Sequence, residues 1–389
     1  MFRIQTLNKI AKIGLKEFDK YSEFEIGDNF DSPDGILVRS ASMLDMPFAE
    51  NLLGIARAGI GVNNIPIDKC SELGIAVFNT PGANANAVKE LVLMGLFISS
   101  RRVSDSIAWI NSCKGEKNIP KIVEAGKSDF AGPEIKGKTM GVIGLGSIGG
   151  MVANATHHLG MEVFGFDPYL SVEAAWSVSR YVHKALSYQE IYAKSDYITI
   201  HTPLTDETKG MFNKDAFSKM KDGVRILNFA RGELINDKDM AEALESGKIA
   251  CYVTDFPNEE TLNMKNTINI PHLGASTPES EDNCAVMAAK QLREFFLTGN
   301  TLHCVNYPDL SLAPGGDIRY CIFHKNIPNM LGQISATIAS EGINIENMLN
   351  KSKKDCAYTV FDINGNPDPA VAKRLCDIQG VIKVRIIPA

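Results

Sequence analysis

One stretch constrains this chain more than any other: Gly141-Val142-Ile143-Gly144-Leu145-Gly146-Ser147-Ile148-Gly149. An apolar run from Thr139 to Ile143 leads into it, and a helical pattern from about Ile148 to His158 leads out. A second apolar run, Met161 to Phe166, ends at Asp167, eighteen residues after Gly149. Strand, glycine turn, helix, strand and terminal acid is the setting in which G-x-G-x-x-G reads as a dinucleotide-binding loop. Gly144 permits the tight turn, Gly146 a close backbone approach to a pyrophosphate, and Gly149 close packing of the helix on the sheet. The helix N-terminus then offers unpaired N–H groups and partial positive charge to the phosphates. Asp167 is placed to accept from a ribose diol. Its charge repels a 2′-phosphate, so NAD rather than NADP is the expected cofactor.

The rest of the chain arranges itself around that unit. Before it, Gly35–Val38, Ile55–Ala58 and Ile75–Phe78 read as short buried strands, and residues 84 to 101 as one long helix. Residues 104 to 138 read as a helix, then an irregular polar loop and a linker. After the glycine loop, apolar runs at 197–200, 224–228, 250–253 and 268–270 alternate with helical stretches, the pattern of a parallel sheet. A helix over 277–298 returns to the first lobe. A turn-rich linker, Pro314-Gly315-Gly316, then precedes a β-α-β-β-α-β order, with its last helix over 369–379. The expected fold class is α/β: two Rossmann/flavodoxin-like lobes with doubly wound parallel sheets, plus a C-terminal ferredoxin-like α+β domain. The expected domains are 1–86 with 276–307, 87–275, and 317–389.

Ligands of such sheets sit beyond the carboxyl ends of the strands. The clusters there are Arg39-Ser40, Gly59-Ile60-Gly61 and Asn84 in the first lobe, which make substrate-binding candidates. In the second lobe they are His201-Thr202-Pro203, Phe229-Ala230-Arg231-Gly232, Asp255-Phe256-Pro257 and Pro271-His272-Leu273-Gly274. The second set converges on the glycine loop, so Thr202, Pro203, Phe229, Ala230, Asp255, His272 and Gly274 join Gly144, Gly146, Ser147, Ile148, Gly149 and Asp167 as cofactor-binding candidates. Arg231 belongs there too, and its planar fork matches a substrate carboxylate. His272 suits proton exchange with a hydroxyl near neutral pH. A carboxylate from Glu259-Glu260 would favour and orient its protonated ring. Arginine, glutamate and histidine beside a nicotinamide define a scheme: His272 moves the proton, a hydride passes between the substrate carbon and the ring, and Arg231 holds the carboxylate.

These motifs together resemble the D-isomer-specific 2-hydroxyacid dehydrogenases over almost the whole chain. The family's signatures are matched at 197–220 and 221–237, at Pro271-His272-Leu273-Gly274-Ala275-Ser276-Thr277, and upstream at Arg57-Ala58-Gly59-Ile60-Gly61-Val62-Asn63-Asn64-Ile65 and Asn79-Thr80-Pro81. The resemblance implies Arg231 as the substrate arginine, His272 as acid/base, and NAD contacts from Ser147, Ile148, Asp167, Thr202, Ala230 and Asp255. The resemblance puts the catalytic glutamate on Glu260 when counted without a gap and on Glu259 when Phe256-Pro257 is aligned instead; Glu260 is the expected residue. Arg39-Ser40 resembles the phosphate-contacting pair of members acting on phosphorylated 2-hydroxy acids. The last seventy residues resemble an ACT domain, with His324, Asn326 and Asn344 where serine-sensitive members bind serine, and with Pro328-Asn329 in place of the usual Pro-Gly turn. L-serine is therefore a candidate effector, and a homodimer or homotetramer the expected assembly.

Composition narrows the alternatives. The 389 residues are 44% hydrophobic and 22% charged, ordinary for a globular chain, with a net charge of −6. There is no basic excess to release counterions from nucleic acid. The eight cysteines include no C-x-x-C pair, so no metal site is expected. Neither a signal peptide nor a membrane span is legible, and a cytoplasmic enzyme is the expectation.

Overall fold

The computed structural model describes residues 1–365 and 370–388. Its strands form three sheets. The first contains β1 (Phe2–Leu7), β2 (Phe24–Gly27), β3 (Gly35–Val38), β4 (Gly54–Arg57) and β5 (Ala76–Phe78), all parallel, in the order β2-β1-β3-β4-β5. The second contains β6 (Thr139–Ile143), β7 (Glu162–Phe166), β8 (His183–Lys184), β9 (Tyr197–Ile200), β10 (Val224–Asn228), β11 (Ile249–Thr254) and β12 (Thr267–Asn269). Its order, β12-β11-β10-β9-β6-β7-β8, is the dinucleotide-binding arrangement with one further strand. The third is antiparallel: β13 (Ile318–Lys325), β14 (Ile345–Lys353), β15 (Cys356–Ile363) and β16 (Val381–Pro388), ordered β14-β15-β13-β16.

Two compact units result, Met1–Ala83 with Pro278–Ala389, and Asn84–Thr277. In the second, strands such as β6 and β9 are buried throughout and mostly apolar because helices cover both faces. Val88, Val92 and Leu96 of helix Ala85–Ser100 pack with Val142, Val152 and Phe229 on one face; Phe217, Met240 and Leu244 pack with Ile198 and Ile200 on the other. Register then sets the functional edge. Phe166, Ile143, Ile200, Asn228, Thr254 and Asn269 pair in one row across the sheet. The residues that follow them, among them Asp167, Gly144, His201, Phe229 and Asp255, therefore leave the sheet side by side at its carboxyl end.

In the first unit the antiparallel sheet is buried on both faces. Tyr320, Ile322 and Phe361 pack on Ile334, Ile338, Val371 and Leu375 of its own helices. Cys321, Phe323, Tyr358 and Val360 join the core formed by Leu37, Phe78, Leu292, Phe295 and Phe296 of the first lobe. The antiparallel sheet thus shares a core with the first lobe inside one unit. Polar contacts follow the same seam. Arg319 donates to Thr298 O at 2.8 Å, Tyr358 to Gly299 O at 2.7 Å, and Arg385 to Phe295 O at 2.8 Å. These groups satisfy carbonyls at the C-terminal end of helix Pro278–Thr298, where cations are also favoured by the helix dipole.

The structure differs from the sequence reading in several elements. β1 and β2 are strands that the apolar runs do not reveal. The expected loop within 104–138 contains a second helix, Ile119–Gly126, and a 3₁₀ turn, Lys127–Phe130. Asn118 takes a left-handed turn before it, Pro120 supports its start, and Trp109 stacks 5.2 Å from Phe130. β14 runs nine residues, as a mostly exposed, polar edge strand. Asn329 adopts φ +65°, so it supplies the turn conformation usually given to glycine. Pro369, with which the last helix was expected to start, lies outside the described residues.

Candidate active site

The glycine loop follows from its three positions. Gly144 has φ +87°, and a Cβ there would lie 2.7 Å from His201 O. A Cβ on Gly149 would lie 1.9 Å from Gly144 O. Both are glycine for the sake of the fold. Gly146 is different: a Cβ there would meet nothing within 4 Å. The protein leaves that space open, as a backbone that receives a pyrophosphate must. Helix Ser147–His158 has no side chain capping its start, so its first N–H groups face outward beside exposed Gly146 and Ser147. Ile148 packs inward.

Asp167 accepts from Leu145 N–H at 2.8 Å and from Tyr169 N–H at 2.9 Å, which fixes its carboxylate at the rim of the loop. A cleft of about 1000 Å³ opens there, lined by Gly144, Gly146, Asp167, Tyr188, His201, Thr202 and Pro203. Burial pushes the pKa of His201 down to about 3, and Nε2 lies 2.9 Å from Thr199 Oγ1. Among the polar atoms of this lobe that are buried without a partner are Thr202 Oγ1 and Asp255 Oδ1. Open space at Gly146, an uncapped helix start and these two orphaned atoms fit a bound dinucleotide.

The reactive edge lies on the neighbouring strand ends. Asn228 holds the turn after β10, donating to Arg231 O at 2.8 Å and accepting from Ala230 N–H at 3.2 Å. Arg231 itself is exposed, with its guanidinium 5.8 Å from the centre of the Phe256 ring. His272 lies against the same ring at 4.7 Å. Asp255, at the end of β11, is 1% exposed. Burial raises its pKa, against the opposing pull of the His272 charge, the Gly274 N–H and Arg231. Gly274 leaves little room, since a Cβ would sit 3.3 Å from Val88 and 3.4 Å from Asp255 Oδ2. The structure thus gathers Arg231, Asp255, His272 and Gly274 around Phe256, a residue that sequence reasoning passed over.

It does not bring Glu260 to His272. Both Glu259 and Glu260 are exposed at the start of the Thr261–Asn263 turn, anchored through Asn258, whose side chain accepts from Thr261 N–H at 2.8 Å and donates to Asp237 at 2.8 Å. Among the described residues neither carboxylate bonds to the imidazole. The carboxylate on which the His272 charge acts is that of Asp255.

In the other unit, Arg39 and Ser40 leave β3 on a turn pinned by Asn8, whose Oδ1 accepts from Ala41 N–H at 2.7 Å and Ser40 N–H at 3.3 Å. Asn8 itself has φ +68°. Arg57 is a second cation here. It donates to Arg39 O at 3.0 Å and lies against the Gly59 turn, where a Cβ would be 2.8 Å from Nη1. Ile60 O accepts from Asn79 at 2.7 Å. Register reveals Asn8 and Arg57: Leu7, Val38 and Arg57 pair in one row. Asn84, in the nucleotide lobe, precedes helix Ala85–Ser100 with its Oδ1 buried and unpartnered.

Of the expected serine contacts, His324 is 2% exposed and engaged on both nitrogens, by Thr359 Oγ1 at 2.8 Å and Lys325 O at 2.9 Å. Burial lowers its pKa. Asn326 donates to Lys354 O and Asn344 to Glu346, both at the surface.

Comparison with known proteins places this arrangement. Residues 94–274 match the model of the D-isomer specific 2-hydroxyacid dehydrogenase, NAD binding domain. A Schizosaccharomyces pombe protein named "Putative D-3-phosphoglycerate dehydrogenase" is 30% identical over 398 residues, covering 93% of this chain and 81% of that one. The chain belongs to the D-isomer-specific 2-hydroxyacid dehydrogenases, and the lobe with the glycine loop is its NAD-binding domain.

Its relatives within that family include D-3-phosphoglycerate dehydrogenases. That of Bacillus subtilis is 31% identical over 80% of this chain and 60% of its own length; the human one is 34% identical over 72% and 52%. The chain therefore spans little more than half the length of these relatives. Among solved structures, NAD⁺-bound 3-phosphoglycerate dehydrogenase of Entamoeba histolytica superposes with a TM-score of 0.59 at 26% identity, over 79% of this chain and 99% of that one. A D-mandelate dehydrogenase of Rhodotorula graminis, at 21% identity and TM-score 0.66, shares the fold.

Proposed function

We propose that this protein oxidises 3-phosphoglycerate to 3-phosphooxypyruvate with NAD, the entry to serine synthesis. The observation that carries the reading is the grouping of Arg231, Asp255 and His272 around Phe256 on adjoining strand ends of the NAD-binding domain. Bound NAD would accept the hydride. His272 removes the proton of the substrate hydroxyl, and Arg231 holds the substrate carboxylate in a bidentate grip. Asp255 steadies the positive charge that His272 then carries. Glu260 is the proposed partner of His272; its exposed carboxylate bonds to no described residue and is free to meet the ring once substrate is held. Arg39 is assigned to the phosphate, with Ser40, Gly59, Ile60 and Asn84 as further proposed contacts.

The regulatory part of the proposal rests on Asn326 and Asn344, whose amides are at the surface and suit a serine carboxylate and amine. The protein is proposed to act in the cytoplasm as a homodimer or homotetramer. Among the described residues no helix is long and apolar enough to cross a membrane.

The test is NADH formation from 3-phosphoglycerate, and its reverse from phosphooxypyruvate, beside glyoxylate and 2-oxoglutarate, with and without serine. Turnover on the phosphorylated pair is expected. Turnover confined to the unphosphorylated acids would overturn the substrate while leaving the NAD-binding lobe as described.

A further inference from the structure

Arg39 does not stand open to solvent as a bare cation. Its Nη2 lies 2.6 Å from Oε1 of Glu281, with the two side chains 42% and 44% exposed. The partners are 242 residues apart in the chain. Glu281 sits in the first turn of helix Pro278–Thr298, where the helix dipole favours an ionised carboxylate. Arg39, for its part, is fixed from behind: its carbonyl accepts from Arg57 Nε at 3.0 Å and Asn64 Nδ2 at 3.5 Å. Two guanidinium groups therefore share this edge, and one carries a resident carboxylate. An anion arriving at Arg39 meets a guanidinium that already carries Glu281 on Nη2.

We propose that Glu281 is a built-in competitor for the substrate's anionic group, which raises the KM for every ligand that uses Arg39. This rests on the reading of Arg39 as the phosphate contact. Physical chemistry supports a modest, real effect. The pair is half-exposed and solvent-screened, so its rupture costs little, and substrate displaces it without a large penalty. Near contact distance the carboxylate also lowers the positive potential that a phosphate dianion would meet. Glu281 touches no reacting atom in this scheme. It acts through Arg39 alone, and its removal is expected to tighten binding rather than impair it, which a purely structural residue does not do.

The experiment is steady-state kinetics on the full-length chain with 3-phosphoglycerate for E281Q, E281D, R39A and R39A/E281Q. E281Q keeps the size of the side chain and removes its charge. It is expected to lower KM for 3-phosphoglycerate about two- to fivefold, with kcat and the KM for NAD unchanged. E281D, still charged, should stay near the wild type. R39A should raise KM, and adding E281Q to it should change nothing more, since the two act through one contact. An unchanged or higher KM in E281Q, with R39A still impaired, would overturn the competitor role and leave the substrate reading intact. No effect of R39A on KM would overturn both.

Discussion

The imidazole of His272 and the ring of Phe256 lie 4.7 Å apart, centroid to centroid, tilted by 47°. The same Phe256 ring sits 5.8 Å from the Arg231 guanidinium. One aromatic side chain thus orients two groups that must meet a single substrate carbon from fixed directions. Replacing Phe256 with alanine is expected to lower kcat by about tenfold through loss of that orientation. NAD affinity, measured by quenching or enhancement of NADH fluorescence, should remain. Full turnover in the variant would show that the ring is only filler.

Loss of the proton carrier has a larger consequence. His272→Ala should reduce turnover at least about a hundredfold while largely sparing NAD binding. Arg231→Ala should lose both rate and substrate affinity, because its role is exercised on bound substrate and on the developing charge. An active His272→Ala enzyme would mean that another group moves the proton.

Cofactor choice is testable with a gentler change than alanine. Asp167 accepts two backbone N–H groups, so its truncation would loosen the turn as well as remove a charge. Asp167→Asn keeps an acceptor oxygen for one of the two N–H groups and deletes the repulsion. The ratio of kcat/KM for NADP to that for NAD should rise about tenfold, corresponding to ~1.4 kcal/mol. An unchanged ratio would remove the charge argument.

Asp255 offers a pH signature. Its carboxyl is held above the ordinary range by burial. Protonation therefore favours the folded state, and this contribution is complete below the unfolded pKa of about 4 and lost as pH rises through the higher folded value. At neutral pH the ionised carboxylate is a cost. Asp255→Asn should raise the Tm at pH 7–8, with the gain fading toward pH 4, while activity falls. A Tm difference that is the same at both pH values would point to a cause other than titration.

Arg319 and Asp362 form a buried bidentate pair at 2.7 and 2.9 Å, 4% and 2% exposed. Arg319→Ala leaves that carboxylate and three carbonyls without their donor. A loss of about 3–5 kcal/mol in urea unfolding is expected.

The sequence revealed what burial and glycine geometry write locally. Parallel strands covered on both faces are apolar runs, so β3, β6, β9 and β10 are legible, as are the polar clusters at their ends. β1 alternates polar and apolar residues, and β14 is an exposed edge, so neither stands out. The helix at 119–126 is short and mostly solvated, and its partner Trp109 lies outside its own window. Site residues followed the same rule. Arg231 and His272 carry recognisable chemistry at strand ends. Phe256, Asn8 and Glu281 gain meaning only through partners brought close by the fold.

The seam between the antiparallel sheet and helix Pro278–Thr298 changes what a truncation means. Phe295 and Phe296 lie in one core with Phe323 and Tyr358, and Arg319, Arg385 and Tyr358 cover the carbonyls that end the helix. A chain stopped before Ile318 would not be an unregulated enzyme freed of an appendage. It would be a half-built unit with a bare apolar wall, and its expected fate is the insoluble fraction.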